Sequence, residues 1–173
     1  TLHQFSEAVG ALPLPSPNKM SKDSSIWEAK FEVLRINPEG KKFEKVSRIE
    51  CNAKDYDMEL KLDVHWKLFK CKPGEWIDFA LASTIELNAS RGREDNTYNQ
   101  TERKTLMDDY DYVMHGRLFQ IDQMKKPGVS IVYASFGGLM MSLKGNARNV
   151  PFLQPDMAIY ALLKKAEAME LDD

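Results

Sequence analysis

Hydrophobic and polar positions alternate with a period of two over several stretches of the chain. The clearest stretch lies at 58–68. Its apolar positions are Met58, Leu60, Leu62, Val64, Trp66 and Leu68. Successive side chains of a β-strand point to opposite faces, so this pattern predicts a strand with one face on a core and the other in water. Because the stretch is long for a strand, we also expect a bend or a bulge within it.

A second alternating stretch follows at 76–87. Its apolar face carries Ile77, Phe79, Leu81, Ile85 and Leu87. Between the two stretches, Lys72-Pro73-Gly74-Glu75 predicts a turn, because proline presets φ and glycine admits positive φ. Further apolar segments lie at 112–121, 129–136, 139–143 and 157–163. Many short strands with almost no helical periodicity predict an all-β barrel or sandwich.

The last segment conflicts with this interpretation. Residues 156–171 begin with Asp156, a good helix N-cap, and continue with alanine, leucine and lysine. Intrinsic propensity alone predicts a helix there.

The length of 173 residues predicts one domain with flexible additions. Residues 1–25 are rich in proline and polar residues, and we expect a flexible N-terminal arm, with Met20 at the usual start position. The polar stretch 88–105 predicts a long mobile loop. The expected division is therefore the arm 1–25, a β domain at 26–165, and an acidic tail at 166–173.

Composition and charge narrow the function classes. The formal net charge is −2 and the pI about 6.0, so the chain as a whole has no positive field for a phosphate backbone. Cys51 and Cys71 are too few for a disulfide framework, and we expect reduced structural thiols. There is neither an apolar run of about 20 residues nor a secretory-signal pattern, which predicts a soluble intracellular protein with no membrane contact.

Candidate catalytic chemistry is sparse. Asp108, Asp109 and Asp111 could hold a divalent cation through their carboxylates. The alternative, a solvated entry to a strand, is favoured because no further acidic or histidine partner follows nearby. The histidines are scattered, and no serine or cysteine stands in a recognisable nucleophile motif. We therefore expect no catalytic, metal or cofactor site.

The pair Gly137 and Gly138 has two interpretations. Without Cβ atoms, glycines permit positive φ and close approach of another backbone, so the flanking apolar residues could present an edge to a partner chain. Alternatively, the pair marks an internal hairpin whose neighbours are ordinary core. The sequence leaves both open.

Aromatic residues among basic ones suggest a different function. The aromatics are Tyr98, Tyr110, Tyr112, Phe119, Tyr133 and Phe136, and local positive charge comes from Lys41, Lys42, Lys45 and Arg48. Bases of single-stranded nucleic acid stack on such rings. The net charge favours the alternative of core aromatics and a solvated basic turn.

Motifs in the second half of the chain resemble one known family. They are DDYDYVMHGRLFQI at 108–121 and VYASFGGLMMSLKGNARN at 132–149. Together they resemble the small common subunit of the eukaryotic nuclear RNA polymerases. The likeness continues in FEVLRINPEGKKFEKVSRIEC at 31–51, DMELKLDVHWKLF at 57–69 and IYALLKK at 159–165. Residues 1–19, the loop 88–105 and the acidic tail lie outside it.

This resemblance implies an OB-fold-like Greek-key antiparallel β-barrel of about eight strands, with a strand at Ile159–Leu163. It also implies a non-catalytic structural subunit of polymerases I, II and III, in the nucleus including the nucleolus. Such a subunit docks on the largest polymerase subunit and neighbouring subunits, and meets nucleic acid only through the complex. An independent single-stranded nucleic-acid-binding barrel is the alternative.

The candidate partner interface follows from the glycine pair and the motif before it. It comprises Tyr112, Met114, Gly116, Phe136, Gly137, Gly138, Leu139, Met140 and Met141.

Overall fold

Eight β-strands form a closed antiparallel barrel in the computed structural model, which describes residues 26–85 and 105–167. The strands are β1 Ile26–Ile36, β2 Val46–Ala53, β3 Glu59–His65, β4 Trp76–Ala82, β5 Tyr112–Gln123, β6 Val129–Phe136, β7 Leu139–Asn146 and β8 Ala158–Lys165. Short 3-10 turns lie at Leu106–Asp109 and Ala147–Asn149. The predicted all-β barrel with about eight strands is confirmed.

The strand order around the barrel is β1-β2-β3-β7-β6-β5-β8-β4. Strands β1 to β3 follow one another, and β4 returns to lie beside β1, which is a Greek key. Strands β5 to β8 repeat the arrangement, because β8 returns to lie beside β5. The expected Greek-key topology is therefore present twice, and the two halves join at β3 with β7 and at β4 with β8.

The barrel interior holds the main hydrophobic core. In β6 the burial alternates strictly along the strand, as the period of two predicts. The largest fully buried side chains are Phe31, Ile49, Leu60, Leu62, Ile77, Phe79, Leu81, Leu118, Met141, Leu143, Ile159 and Leu162. Five of them, Leu60, Leu62, Ile77, Phe79 and Leu81, come from the two alternating stretches, and five more come from the apolar segments that follow.

The alternating stretch at 58–68 ends as a strand earlier than its pattern suggests. β3 stops at His65, and the main-chain N–H of Phe69 bonds back to the His65 carbonyl. The expected bend or bulge within one long strand is therefore replaced by the end of the strand and a turn. Placing Leu68 on the buried face was wrong, because the turn leaves this side chain 68% exposed. In the second stretch Ile85 is half-buried after the end of β4, and Leu87 lies outside the described residues.

Residues 158–165 form strand β8, as the family resemblance implied. The helix predicted from propensity was wrong over this range. β8 pairs with β4 on one side and β5 on the other, so both rows of its main-chain groups have strand partners. Tertiary pairing of this kind overrides intrinsic preference.

A small second hydrophobic cluster lies on the outside of the barrel. It contains Ala80, Ala82, Leu106 and Leu162. Leu106 belongs to the segment that leads into β5, and its N–H donates to the Ile85 carbonyl at 3.0 Å. The two ends of the intervening segment are therefore hydrogen-bonded to each other.

Several expectations concern residues outside the described ones. These are the arm 1–25 with Met20, the loop 88–105 except Thr105, and the tail 166–173 beyond Glu167. They stay predictions. Across residues 26–85 and 105–167, no helix is long and apolar enough to cross a membrane.

Candidate partner interface at the β6–β7 hairpin

Gly137 and Gly138 form the two-residue turn between β6 and β7. Their φ angles are +63° and +100°, and Phe136 pairs directly with Leu139 across the turn. Positive φ at both central positions matches the tight hairpin turn whose twist suits flanking β-strands. Ser135 Oγ accepts a hydrogen bond from the Gly138 N–H at 3.3 Å. An internal hairpin therefore explains the glycine pair without a partner chain.

The hairpin presents a different set of residues to each side. Phe136 and Met141 point into the barrel and are buried. Gly137 and Gly138 are exposed, while Leu139 and Met140 are half-buried. Apart from the residues adjoining each glycine, no atom of the described structure lies within 4 Å of a Cβ built on either one. The part of the predicted interface within reach of a partner is therefore 137–140.

Three of the predicted interface residues, Tyr112, Met114 and Gly116, lie on β5. Tyr112 and Met114 are buried in the core. A Cβ on Gly116 would lie 2.1 Å from the Ser135 carbonyl oxygen and 2.7 Å from Phe136 Cδ1. Glycine is thus required at this position by the close approach of β6. Tyr112 and Met114 thus belong to the core, and Gly116 permits the close packing of β6 on β5.

Asp63 attaches the outer side of the hairpin to β3. Backbone pairing between β3 and β7 ends at Leu62 and Met141. Beyond that point the carboxylate of Asp63 accepts a hydrogen bond from the Met140 N–H at 3.2 Å. It also receives two hydrogen bonds from Arg48, at 2.7 and 3.0 Å. A bidentate ion pair of this kind fixes the carboxylate geometrically as well as electrostatically.

The hydrogen bond to Asp63 raises the pKa of Arg48, against the opposing effect of partial burial. The sequence marked Arg48 only as part of a basic stretch and did not mark Asp63 as a site residue. In the sequence Asp63 is one acidic residue among the polar positions of an alternating strand, and such residues are common on solvent-exposed strand faces. Their role becomes visible only from the register, which pairs Arg48 with Asp63 across β2 and β3.

One stretch of β5 beside the hairpin has a strand partner on one side only. The ladder with β8 starts at Tyr112, whereas the ladder with β6 starts at Arg117. Among the described strands, 112–116 therefore pairs with β8 alone. Such an unpaired edge is where an added strand can bind through main-chain hydrogen bonds.

The acidic run has structural partners. Thr105 N–H donates to the Asp108 carboxylate at 2.8 Å, and Lys165 N–H donates to the Asp111 carboxylate at 3.1 Å. Asp109 also has an interaction partner. Within residues 26–85 and 105–167, no three histidine, cysteine, aspartate or glutamate side chains are arranged to hold a metal ion.

Both cysteines are free and buried. Burial raises the pKa of the Cys51 thiol, and it raises the pKa of Cys71 to about 11. Such thiols remain protonated at neutral pH and are poor nucleophiles. The expectation of structural thiols is consistent with this environment.

The proposed stacking aromatics are divided among different environments. Tyr112 and Phe136 are core residues. The Tyr110 hydroxyl donates to Glu28, and Tyr98 lies outside the described residues. Phe119 and Tyr133 stack on each other on the outer surface, with ring centroids 6.2 Å apart. The structure does not place these six rings on one continuous surface among the described residues.

The sequence matches proteins of one family over nearly the whole described barrel. The model of the family described as RNA polymerase Rpb8 matches residues 28–165. A Dictyostelium discoideum protein named DNA-directed RNA polymerases I, II, and III subunit rpabc3 is 38% identical, over 83% of this chain and 99% of its own length. The Arabidopsis thaliana DNA-directed RNA polymerases II, IV and V subunit 8B is 34% identical, over 84% of this chain and 99% of its own.

A third relative extends the comparison to fungi. The Saccharomyces cerevisiae protein named DNA-directed RNA polymerases I, II, and III subunit RPABC3 is 30% identical, over 82% of this chain and 99% of its own. The extent of the family match and these identities agree with the motifs at 108–121 and 132–149. The chain belongs to the RNA polymerase Rpb8 family.

Proposed function

We propose that this chain is a non-catalytic structural subunit of the nuclear DNA-directed RNA polymerases I, II and III. The observation that carries the proposal is the family match over 28–165, which spans the barrel from β1 to β8. The relatives that bear polymerase-subunit names are covered over almost their full length. A role in transcription within the nucleus, including the nucleolus for polymerase I, follows from this assignment.

The proposed docking partner is the largest polymerase subunit, with neighbouring subunits beside it. The docking surface consists of the hairpin tip 137–140 and the adjacent β5 edge 112–116. The glycine turn carries no side chains, so a partner backbone can approach it closely. Main-chain pairing along β5 would supply affinity, while Leu139 and Met140 would supply specificity.

The non-catalytic part of the proposal rests on what the candidate chemical groups do. Asp63, Asp108 and Asp111 accept main-chain hydrogen bonds that hold the barrel and its entry segment together. Cys51 and Cys71 are core residues. The hydrogen bonds and burial of these groups are structural roles, which are sufficient for a non-catalytic subunit.

Two matched methionine variants test the docking surface. Met140 is half-buried at the hairpin, whereas Met124 is 40% exposed in the turn between β5 and β6. We expect tagged Met140→Glu to lose the largest polymerase subunit on co-purification and tagged Met124→Glu to retain it. Both proteins must first show wild-type thermal unfolding. Retention of the largest subunit by a folded Met140→Glu protein would refute docking through the hairpin.

A second candidate function is direct binding of single-stranded nucleic acid. The stacked and partly exposed pair Phe119 and Tyr133 favours it, because bases stack on such rings. A gel-shift titration of the full chain at physiological salt tests this function. Tight, salt-sensitive binding that Phe119→Ser abolishes would support it over the scaffold role.

A further inference from the structure

Two surface connections meet at the end of the barrel where β1 and β3 terminate. They are the β1–β2 connection, 37–45, and the turn after β3, 66–69. The Trp66 N–H donates to the Lys45 carbonyl at 2.8 Å, directly after the Val46 and His65 pair. The two connections therefore form one surface. We call Lys41, Lys42, Phe43, Lys45, Lys67 and Leu68 the lysine rim.

The lysine rim contains the two most exposed large hydrophobic side chains of the described residues. Phe43 and Leu68 are each 68% exposed, whereas the other exposed large hydrophobics are at most 44% exposed. Single exposed hydrophobic residues are common on protein surfaces. Here two of them occupy hydrogen-bonded segments. An open cavity of about 80 Å³ lies beside Phe43, and its lining includes Pro38 and Val46 but also the carboxylates of Glu39, Glu50 and Asp63, so the acidic groups of a partner would lie at the lysines and not in this cavity.

The segments 37–45 and 66–69 together carry four lysines and two glutamates, Glu39 and Glu44, so lysine is in excess there. Among the described residues, Lys42 is its only lysine with an ion-pair partner, Glu39, at 3.3 Å. Three lysines on the barrel wall do have ion-pair partners. The nearest carboxylates to them are Glu50 for Lys61, Glu59 for Lys144 and Glu75 for Lys165, all within 3.5 Å. An excess of positive charge therefore accompanies the exposed apolar groups, although the whole chain has a net charge of −2.

We infer that the lysine rim binds an acidic protein segment that carries apolar side chains. The segment's carboxylates would pair with Lys41, Lys45 and Lys67, and its apolar side chains would cover Phe43 and Leu68. Exposed ion pairs contribute little affinity individually but speed association and select the sign of the partner. Desolvated apolar anchors supply most of the binding energy in such interfaces.

The apolar composition favours a protein segment over nucleic acid. Bases stack on aromatic rings, and the rim offers one exposed ring, Phe43. Leu68, equally exposed, has no face on which a base can stack. A segment with leucine or phenylalanine beside aspartate or glutamate complements both kinds of group.

This inference does not rest on the proposed polymerase role. The lysine rim lies on 37–45 and 66–69, whereas the proposed docking surface lies on 137–140 and the β5 edge. Its test uses the isolated full chain and measures no polymerase component. Failure of one proposal therefore leaves the other standing.

The experiment is fluorescence anisotropy of labelled probes with the full chain. The probes are a short acidic peptide with interspersed leucine and phenylalanine, the same peptide with serine at its apolar positions, and single-stranded oligothymidine of matched length. The variants are Lys41→Glu/Lys67→Glu and Phe43→Ser/Leu68→Ser. Lys125→Glu/Lys126→Glu, in the exposed turn between β5 and β6, changes the net charge equally and is the control.

We expect the apolar acidic peptide to bind wild type and the control, and each rim variant to weaken binding by about tenfold or more. The serine peptide should bind more weakly than the apolar one. The variants alter exposed residues and should unfold like wild type. Stronger binding of oligothymidine, no binding of the acidic peptide, or equal binding by the rim variants and the control would overturn the inference.

Discussion

The phenol oxygen of Tyr112 accepts a hydrogen bond from the main-chain N–H of His65 at 3.1 Å. His65 is the last residue of β3, and Tyr112 is the first residue of β5. The β6–β7 hairpin lies between β3 and β5, but its pairing with β3 ends at Leu62 and its pairing with β5 begins at Arg117. The Tyr112 ring also stacks on Phe69, with centroids 5.8 Å apart. One core side chain thus closes the barrel beyond the hairpin tip.

Tyr112→Phe should destabilise the barrel by about 1 to 2 kcal/mol, because the partly buried His65 N–H loses its acceptor. The ring and its stacking remain, so the change isolates the hydrogen bond. Urea denaturation measures the effect. Tyr133→Phe, on the outer surface, is the control and should change the free energy of unfolding by less than about 0.5 kcal/mol. Equal effects of the two changes would contradict the assigned role of Tyr112.

Gly138→Val should destabilise the protein by about 1 to 3 kcal/mol, since a β-branched residue at the φ of +100° is strained. Gly138→Asn should cost less, because asparagine tolerates positive φ better. Thermal unfolding of the two variants gives the comparison. If Gly138→Val leaves both thermal stability and polymerase incorporation unchanged, the reason for singling out this turn disappears.

Gly116→Ala should be strongly destabilising for a different reason. Its new methyl group would meet the Ser135 carbonyl oxygen, which belongs to the backbone and cannot rotate away. Overpacking of this kind costs about 1 to 3 kcal/mol or more. Denaturant titration followed by circular dichroism measures the change in the free energy of unfolding. A wild-type midpoint would show that β5 and β6 are farther apart than described.

The stability of the protein should fall as the pH rises from about 9 toward 11. An unfolded cysteine has a pKa near 9.0, and burial raises the pKa of Cys71 to about 11 in the folded chain. Between these values the unfolded chain releases a proton that the folded chain retains, so alkaline pH favours unfolding. Below about pH 9 both forms are protonated and the effect vanishes.

The measurement is the free energy of unfolding as a function of pH, for wild type and Cys71→Ala. We expect the variant to show a shallower decline, by up to about 1.4 kcal/mol per pH unit. A thiol reagent at neutral pH should label neither cysteine until denaturant is added. Parallel pH profiles, or rapid labelling of the native protein, would contradict the described burial.

The fold was predictable from the sequence where one strand face is apolar. β6 has the bounds expected from its pattern, and β4 has the expected buried face at Ile77, Phe79 and Leu81. Local pattern failed at Leu68, because nothing in the alternation reveals that the chain turns after His65. Local propensity failed for β8, because its conformation depends on pairing with two distant strands.

The candidate interface was predictable only in part. The glycine pair marked the hairpin turn, but burial could not be assigned to its flanking residues before the register was known. Phe136 and Met141 face inward, whereas Leu139 and Met140 remain partly accessible. The role of Asp63 could not be predicted without knowing that the pairing of β3 with β7 ends next to it. The need for glycine at 116 could not be predicted without knowing how closely β6 approaches β5 there.

The central claim is that the chain is a stable structural subunit of the nuclear RNA polymerases. Mass-spectrometric inventory of the complexes that co-purify with the tagged full chain, after nuclease treatment and a high-salt wash, tests it most directly. We predict that the largest subunits of polymerases I, II and III remain in proportion to the tagged chain. Loss of all polymerase subunits under these conditions, or recovery of nucleic-acid-dependent partners alone, would contradict the claim.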